Sequence, residues 1–387
     1  MERSIVHLDM DTFFVSCERR EHPELKGIPL IVGGSSDRGV VASCSREARV
    51  FGVRSAMPMR QALYLCPDAK VIKGDMDLYS KCSQEVTQMI EEAAPVMEKA
   101  SIDEFYLDVS GLDKFFGCYK WTNELSSKIR KETQLPISFG LSINKTVSKM
   151  ATTEGKGQGG KLEVLPACVR PFLNPLSIRK IPGLGDAKFT ELSRVGIRTI
   201  ETLSLTPVKI LHTMYGKPGI EIWNKANGID ETPVEPYEER KTISASRTFE
   251  KDTIDIAKVK SLLVTMVEKL AYQIRTEKWL TSVVTVKIRY TNFDTHTQQR
   301  KIAYTSADHI LMKVVNELFD KLYDRRIRIR LVGIGFSGLV RGEYQIDLFD
   351  DTVESTNLYR AIDKMKTRFG FKAVMRATGL GQINNIK

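Results

Sequence analysis

The hydrophobic pattern of the first 165 residues changes repeatedly between the two-residue period of a strand and the 3.6-residue period of a helix. Short apolar runs bounded by polar or glycine residues predict strands, and longer amphipathic stretches predict helices. The predicted strands are 4–8, 28–32, 97–101, 105–109 and 137–141, and the predicted helices are 77–94, 121–132 and 144–151. This alternation indicates an α/β or α+β domain.

The rest of the chain shows three further patterns. A glycine-rich loop at 154–161 precedes them, and a polar, proline-bearing linker at 230–240 lies between the first two. The first pattern predicts a helical domain at 171–232. The second predicts the order strand–helix–strand–strand–helix–strand at 241–341, with helices at 257–275 and 307–323. The third predicts a tail with one helix at 357–369 and a weakly ordered end.

One predicted strand of the 241–341 region has two chemically different faces. Along 282–290, apolar side chains and basic side chains alternate, and Arg328 and Arg330 alternate with Ile329 and Leu331 in the same way. The apolar face contains Val284, Val286, Ile288 and Tyr290, and the basic face contains Lys287 and Arg289. The apolar face of such a sheet can pack on helices, and its basic face can contact phosphates.

Charge strengthens the prediction of a polyanionic partner. The 387 residues have a formal net charge of +10 and a pI of about 9.2. Between Arg240 and Arg341 there are 20 lysines and arginines against 10 aspartates and glutamates, so this segment has the same net charge as the whole chain. The basic region is therefore expected to bind nucleic acid.

Composition excludes several classes of protein. The six cysteines form no C-x-x-C pair and only five histidines are present, which argues against a zinc site or a disulfide framework. No stretch approaches the roughly 18 unbroken apolar residues of a membrane span, and the start of the chain has no secretory pattern. We therefore expect a cytoplasmic protein without a membrane partner.

Two acidic clusters indicate metal-dependent phosphoryl transfer. One is His7-Leu-Asp-Met-Asp11, and the other runs from Ala100 to Asp108 with Asp-Glu at 103 and 104. Phosphoryl transfer to a sugar hydroxyl uses two divalent ions roughly 3.5–4 Å apart, and Mg²⁺ prefers oxygen ligands. The candidate ligands are Asp9, Asp103 and Glu104, whereas Asp11 and Asp108 are expected to cap turns or form salt bridges.

Four motifs then give a resemblance. The segments LDMDTFF, SREARVFGVRSAMP, SIDEFYLDVSG and IPGLG, in this order, resemble those of the Y-family DNA polymerases, most closely the bacterial DNA polymerase IV group. The resemblance covers about residues 3–341. It implies a multidomain α+β, right-hand polymerase fold with a palm, small fingers, a helical thumb and a little-finger α/β domain.

The resemblance also implies domain bounds. These are palm and fingers at 1–166 with the fingers at about 12–77, the thumb at 167–233, a linker at 234–240, the little finger at 241–341 and a tail at 342–387.

For the palm and fingers, the resemblance implies a role for each matching residue. Asp9, Asp103, Glu104 and the Met10 carbonyl would hold two Mg²⁺ ions. Phe14 matches the steric gate, whose ring excludes a ribonucleotide 2′-hydroxyl and so selects dNTPs, while Phe13 is expected in the core. Arg49 and Lys156 match residues that contact the triphosphate. Two departures stand out: Arg46 replaces the usual tyrosine, and Lys156-Gly-Gln-Gly159 replaces Lys-Pro-Asn-Gly.

Primer–template DNA would be held by two elements. The turn Ile181-Pro-Gly-Leu-Gly185 and the helix after it look like a helix-hairpin-helix, whose backbone N–H groups face a phosphate. The basic sheet would track the DNA backbone without reading sequence. The candidate DNA-binding residues are Pro182, Gly183, Gly185, Lys287, Arg289, Arg328 and Arg330.

The tail contains Gln345-Ile-Asp-Leu-Phe349, which is similar to the peptide that docks on the bacterial sliding clamp. The candidate clamp-binding residues are Gln345, Leu348 and Phe349, and docking would raise the local concentration of a weak enzyme at the primer end. A bacterial source, a nucleoid location and a monomer are expected.

The prediction is a template-directed polymerase of low processivity that also extends primers past damaged bases. Two alternatives belong to other classes. The first is a catalytically inactive DNA-binding scaffold, which the intact carboxylate trio disfavours. The second is another nucleotidyl enzyme such as a cyclase, because palm-like folds host several chemistries. Metal-dependent primer extension distinguishes all three.

Overall fold

The computed structural model describes residues 3–34, 38–112, 117–236, 239–323, 327–342 and 352–379. The chain divides into two compact units, Met1–Glu238 and Glu239–Lys387. The finer domain bounds given above stay predictions. No helix among the described residues is long and apolar enough to cross a membrane.

The first unit begins with mixed strands and helices and continues with helices. Its elements are β1 (Ile5–Met10), α1 (Phe13–Glu21), β2 (Leu30–Gly33), β3 (Val41–Cys44), α2 (Arg46–Val50), α3 (Met59–Leu65), β4 (Lys70–Ile72), α4 (Met76–Ala93), β5 (Val96–Lys99), β6 (Glu104–Asp108), α5 (Cys118–Thr133), β7 (Ile137–Ser142), α6 (Lys145–Gly155), β8 (Lys161–Glu163), α7 (Val169–Leu173), α8 (Asp186–Arg194), α9 (Ile200–Leu205), α10 (Val208–Tyr215) and α11 (Lys217–Ala226).

The central sheet of this unit has the order β5-β6-β1-β7-β8. Alternation along β1 gives the sheet two unlike faces, because successive side chains of a strand point to opposite sides. Val6, Leu8 and Met10 are buried in a hydrophobic cluster with residues of α1, α4 and α5. His7 and Asp9 lie on the other face, which α6 covers.

Two smaller parts of the unit have hydrophobic clusters of their own. A sheet of order β3-β2-β4 packs with α2 and α3 around buried Ile31, Ala48 and Ala62. The helices α7–α11 form a cluster that also includes Val147 and Met150 of α6. Helix α6 therefore contacts the central sheet with one face and the helical part with another.

The second unit confirms the predicted strand–helix–strand–strand–helix–strand order. Its elements are β9 (Thr242–Thr253), α12 (Ile256–Thr276), β10 (Trp279–Tyr290), β11 (Thr295–Thr305), α13 (Asp308–Leu322), β12 (Ile329–Arg341) and α14 (Thr352–Phe369). The antiparallel sheet has the order β11-β10-β12-β9. The predicted apolar face of β10 is confirmed, because its four members are fully buried in a cluster with α12 and α13.

The simple alternation predicted for 328–331 is wrong. The β10–β12 register shifts, so that Ile329 pairs with Tyr290 but Leu331 pairs with Arg289. Paired residues share a face, and Leu331 therefore lies on the basic face rather than in the core. A β-bulge causes this, and a bulge adds one residue that periodicity alone does not reveal.

The C-terminal helix α14 packs on α12 and α13 within the second unit. Arg275 of α12 donates from Nε to Asp363 of α14 at 2.6 Å and pairs with Asp308 of α13. Beyond α14, the backbone N–H of Arg376 donates to buried Glu268 at 3.2 Å. The segment that follows α14, described up to residue 379, is thus attached to α12, although a weakly ordered end was predicted there.

Candidate active site

The two acidic clusters meet at the neighbouring ends of β1 and β6. Asp9 stands directly opposite Glu104 in the antiparallel register. The Met10 backbone N–H donates to the Asp103 carbonyl oxygen at 3.0 Å. The backbone positions of Asp9, Asp103 and Glu104 therefore lie next to one another, as the sequence led us to expect, and their role as metal ligands stays a prediction.

Helix α6 lies unusually close to this face of the sheet, because β7 has glycine at position 140. A Cβ added to Gly140 would lie 2.2 Å from the Ser148 carbonyl oxygen and 2.4 Å from the Thr152 backbone nitrogen. Real Cβ atoms do not approach backbone so closely, so only glycine lets the helix rest on the strand here. The close approach brings the side chains of α6 to the carboxylates.

The sheet-facing edge of α6 is a row of polar side chains at spacings of four, three and four residues. Lys145 contacts Glu98 at 2.6 Å, and Lys149 contacts Glu104 at 2.7 Å. Thr152 contacts His7 at 2.9 Å, and Lys156 contacts Asp9 at 2.5 Å. The sequence did not lead us to predict Lys149 as a site residue. The signal that could have identified it is its position seven residues, or two helical turns, before Lys156.

The charges in this cluster depend on one another. Burial raises the pKa of Asp9 to about 6 against the opposing effect of Lys156, and nearby Glu104 and Asp103 raise it further. Burial lowers the pKa of Lys156, but Asp9 and Asp11 outweigh it, so the net shift is upward and the ammonium stays charged. The cluster thus concentrates negative charge that cations balance.

The donor set fits hard divalent cations, which prefer carboxylate oxygens. Among the described residues, no three His, Cys, Asp or Glu side chains are already arranged to hold a metal ion. Glu104 and Asp9 accept from lysines, and Asp103 accepts from the Ser101 hydroxyl at 2.6 Å. At Asp9 and Glu104, a metal ion would therefore compete with the lysine ammonium groups for the carboxylates.

His7 is a neutral residue behind the carboxylates. It is 1% exposed, and burial, followed by the positive charges of Lys149 and Lys156, lowers its pKa to about 3. Its Nδ1 lies 2.9 Å from the Thr152 hydroxyl, and its Nε2 lies 4.0 Å from Glu104. An uncharged imidazole here adds a polar contact without adding a cation.

Asp11 is a salt-bridge residue, as expected, but its partners are candidate triphosphate ligands. Its carboxylate accepts from the Ser138 hydroxyl at 2.8 Å and lies 3.1 Å from Lys156 Nζ. Arg46 Nη2 lies 3.9 Å from the same carboxylate. Asp11 therefore joins two cations from separate parts of the first unit. By contrast, Asp108 caps a turn by accepting from the Ser110 backbone N–H.

Arg46 and Arg49 lie on one side of the short helix α2, three residues apart. The Ser45 hydroxyl caps this helix by accepting from the Ala48 backbone N–H, and it also accepts from Leu30 of β2 at 3.0 Å. Both arginines are exposed. The cap fixes the helix to the small sheet while the guanidinium groups remain accessible to an anion.

The Phe14 ring stacks on the ring of Tyr79, with centroids 4.4 Å apart and an angle of 15° between the planes. The Tyr79 hydroxyl donates to buried Glu18 at 2.5 Å. Phe13 is buried in the core, as predicted. Between β1 and α1, Thr12 has a φ of +46°, which is strained for a β-branched residue and turns the chain from the carboxylates to Phe14.

The predicted hairpin turn precedes α8. Gly183 has a φ of +89°, a conformation that favours glycine, and Lys225 Nζ donates to the Pro182 carbonyl oxygen at 3.1 Å. Gly183 and Gly185 are exposed, and Gly185 is the N-cap residue of α8. The geometry is compatible with an anion near the start of α8, and the DNA-binding role stays a prediction.

The open face of the second unit carries Lys287 and Arg289, as expected. It also contains a trough of about 210 Å³ that the sequence reasoning missed. The trough is lined by Thr242, Ser244, Ser246, Thr285, Lys287, Gly333, Ile334, Gly335, Phe336 and Ser337. The small residues at alternate positions of 242–246 and 333–337 are the signal that could have found it.

The other basic candidates of this unit differ in environment. The Arg330 guanidinium lies over the Phe293 ring, 4.5 Å from its centroid, and Arg328 is exposed just before β12. The clamp-binding candidates Gln345, Leu348 and Phe349 lie outside the described residues. Their assignment stays a prediction.

Comparisons with known proteins identify the relatives of this chain. Residues 8–153 match the impB/mucB/samB family, and residues 240–348 match the C-terminal domain of that family. The DNA polymerase IV of Dehalococcoides mccartyi strain 195 is 35% identical over 382 residues, covering 96% of each chain. The DNA polymerase IV 2 of Methanosarcina mazei is 36% identical over 357 residues, covering 90% of this chain and 96% of the relative.

Solved structures with the same fold include the Y-family DNA polymerase chimera Dbh-Dpo4-Dbh, with a TM-score of 0.77 and 24% identity. The insertion ternary complex of Dbh DNA polymerase matches with a TM-score of 0.64 and 24% identity. Each match covers 88% of this chain and all of the other chain.

Proposed function

The chain belongs to the Y family of DNA polymerases, in the DNA polymerase IV group, and we propose that it extends primers from dNTPs by two-metal phosphoryl transfer, including past damaged template bases. The observation that carries this proposal is the convergence of Asp9, Asp103 and Glu104 at one edge of the central sheet. The enzyme is a DNA-directed DNA polymerase, and its products would be the extended primer and pyrophosphate.

The three carboxylates and the Met10 carbonyl would hold two Mg²⁺ ions. When bound, these ions would supply Lewis-acid activation of the primer 3′-hydroxyl and neutralise charge on the phosphates. The protein's own contribution is to concentrate carboxylate oxygens at neighbouring strand ends. It also keeps positive charge close by, on Lys149 and Lys156.

The incoming nucleotide would be held by cations and selected by an aromatic ring. Arg46, Arg49 and Lys156 would bind the triphosphate, and a guanidinium fork suits phosphate oxygens. In place of a neutral hydroxyl, Arg46 would bring a full positive charge to the phosphates. The ring of Phe14, backed by Tyr79, would exclude the 2′-hydroxyl of a ribonucleotide by steric clash.

Primer–template DNA would contact the hairpin turn at 181–185 and the open basic face of the second unit. These surfaces offer backbone N–H groups, lysine, arginine and hydroxyl groups, which bind phosphates without reading base sequence. Binding of this type weakens steeply with salt. We further propose a monomer in the cytoplasm, at the nucleoid where its substrate is.

Primer extension with Mg²⁺ and dNTPs tests the proposal directly. Asp103→Asn and Glu104→Gln should each lower the extension rate by at least about 10³-fold, because each removes a negative ligand of a metal that stabilises the transition state. Asp108→Asn is the matched control and should extend normally. The assay runs on undamaged and lesion-containing templates, with DNA affinity measured in parallel.

Normal extension by both Asp103→Asn and Glu104→Gln would overturn the catalytic assignment. Metal-independent DNA binding without extension by the unmodified chain would support a scaffold instead. Nucleotide turnover in the absence of primer and template would support a cyclase-like enzyme. Extension on intact templates that stops at every lesion would remove only the lesion-bypass part.

We also propose that Gln345, Leu348 and Phe349 dock on a sliding clamp. Deleting residues 342–387 is an unsuitable test, because α14 and the segment after it supply Asp363 to Arg275 and cover Glu268. The double substitution Leu348→Ala with Phe349→Ala changes the peptide alone. It should keep basal extension and lose stimulation by a bacterial clamp, and equal stimulation of both proteins would contradict the proposal.

A further inference from the structure

Lys156 and a metal ion would compete for the same carboxylate. The Lys156 ammonium donates to Asp9 Oδ1 at 2.5 Å and forms an ion pair with Asp11 Oδ1 at 3.1 Å. A metal ligated by Asp9 would use the same carboxylate, and the positive charge already held there repels a second cation and lowers its affinity. Metal binding at Asp9 is therefore favoured when Lys156 moves or weakens its contact.

Lys156 is placed so that it can move. It is the C-cap residue of α6, at the point where the helix ends and the loop of 157–160 begins. Its side chain is 36% exposed, while those of Asp9 and Asp11 are 20% and 11% exposed. The Lys156 side chain is thus more exposed than the two carboxylates that it contacts, and an anion can reach it. A flexible four-carbon stem lets it change partners.

The contacts of Lys149 differ from those of Lys156. Lys149 lies two turns earlier on α6 and donates to Glu104 at 2.7 Å. It comes from the middle of the helix, whereas Lys156 comes from the helix end beside Asp11 and Arg46. An approaching polyanion that contacts exposed Arg46 would meet Lys156 at the same carboxylate. Lys156 is therefore the cation that a triphosphate would draw away.

We propose that Lys156 is exchanged between Asp9 and the triphosphate of the incoming nucleotide, so that nucleotide binding frees Asp9 for the metal. The inference rests on the proposed function. Without a nucleotide, the ammonium competes with the metal for Asp9. Once phosphate oxygens accept from the ammonium, the carboxylate can take the metal. Because coupling between two ligands is reciprocal, the metal would equally favour nucleotide binding.

The first test measures Mn²⁺ binding to the full chain by electron paramagnetic resonance, without nucleotide. Lys156→Met should bind Mn²⁺ at least about fivefold more tightly than the unmodified chain, because one competing unit charge about 4 Å away is removed. Lys161→Met is the matched control, since Lys161 donates to Asn123 and not to a carboxylate. It should bind Mn²⁺ as the unmodified chain does.

The second test removes the metal and measures nucleotide binding. In EDTA, the affinity for a fluorescent dATP analogue should be at least about threefold higher in Asp9→Asn, because Lys156 is released from its partner. The same substitution in a Lys156→Met background should change the affinity much less. This double-mutant cycle separates the exchange of Lys156 from the general loss of a negative charge.

Unchanged or weaker Mn²⁺ binding by Lys156→Met would overturn the inference, as would equal effects of Asp9→Asn in both backgrounds. Lys156→Gln gives a second neutral side chain if the methionine variant unfolds at a lower temperature. If these tests contradict the exchange of Lys156 but primer extension still depends on Asp103 and Glu104, the proposed function stands. If primer extension does not depend on Asp103 and Glu104, both the proposed function and the exchange are contradicted.

Discussion

The two large sheets of the molecule use the same architecture for opposite purposes. Each has one apolar face buried against helices, as Val6 and Leu8 show in the first unit and Val284 and Val286 in the second. In the first unit, α6 covers the polar face and pairs its charges one by one. In the second unit, Lys287 lies beside small hydroxyl residues on the face opposite α12 and α13, and no described helix pairs its charge.

The two faces should therefore differ in how strongly their charged residues depend on one another. Under α6, each carboxylate or lysine has a near partner, so a single substitution leaves a charge uncompensated and changes several pKa values together. On the open sheet, Lys287 and Arg289 are partly exposed and their charges are screened by water and salt, so single changes should be small and nearly additive. Three sets of substitutions probe the two units, from the largest expected effect to the smallest.

Phe14→Ala should have the largest effect. Loss of the ring that stacks on Tyr79 should lower the preference for dNTPs over rNTPs by about 100-fold, equivalent to about 2.7 kcal/mol of discrimination. The ratio of kcat/KM for dATP and ATP measures it. Tyr79→Phe is the control, because it keeps the stacked ring and loses only the hydroxyl contact to Glu18. Unchanged sugar discrimination in Phe14→Ala would place selectivity elsewhere.

Lys287→Ala and Arg289→Ala should each weaken DNA binding by only a few-fold. Each should also reduce the slope of log K against log salt by about 1, because one phosphate contact is lost. The two effects should add in the double variant. Lys313→Ala, on α13 behind the sheet, is the control and should leave the slope unchanged. A loss of more than about 100-fold from either single change would contradict the distributed character of this face.

Glu268→Gln tests whether a buried charge in the second unit affects stability rather than activity. Burial raises the pKa of Glu268 against the opposing effects of Lys366 and Arg376. A carboxyl with a raised folded-state pKa stabilises the fold below its unfolded pKa, and that stability is lost as pH rises through the folded pKa. The glutamine variant should therefore melt a few degrees higher at pH 7.5 and change less between pH 4.5 and 7.5.

Exposed Glu250→Gln serves as the control for that measurement and should melt like the unmodified chain. DNA extension by Glu268→Gln should be unchanged. A lower melting temperature at pH 7.5 would mean that the nearby positive charges of Lys366 and Arg376 outweigh the cost of burying the carboxylate.

Much of the fold followed from periodicity, because burial on one face imposes a repeat that a single strand or helix displays. The alternation in β10 and the element order of the second unit were predicted for this reason. The bulge at Leu331 was not, since one inserted residue alters pairing without altering composition. The packing of α14 on α12 depends on contacts such as Arg275 with Asp363, 88 residues apart, which local patterns do not encode.

The candidate site was found in part for the same reasons. Asp9, Asp103 and Glu104 were predicted because two acidic clusters next to predicted strands accompany the other motifs that resemble those of the Y family. Lys149 and Asp11 were missed as site residues, because a lysine on a helix and an aspartate in a turn are common on any surface. Their significance comes from partners on other elements, Glu104 and Lys156, and such pairings appear only when the chain is folded.

Gly140 limits how the enzyme can be altered by engineering. Since no larger side chain fits between β7 and the backbone of α6, any replacement would lift the helix as a rigid rod. Lys145, Lys149, Thr152 and Lys156 would move together, so the separation between helix and carboxylates cannot be adjusted gradually. Libraries that aim to retune this catalytic centre should keep position 140 fixed and vary the side chains along the helix edge instead.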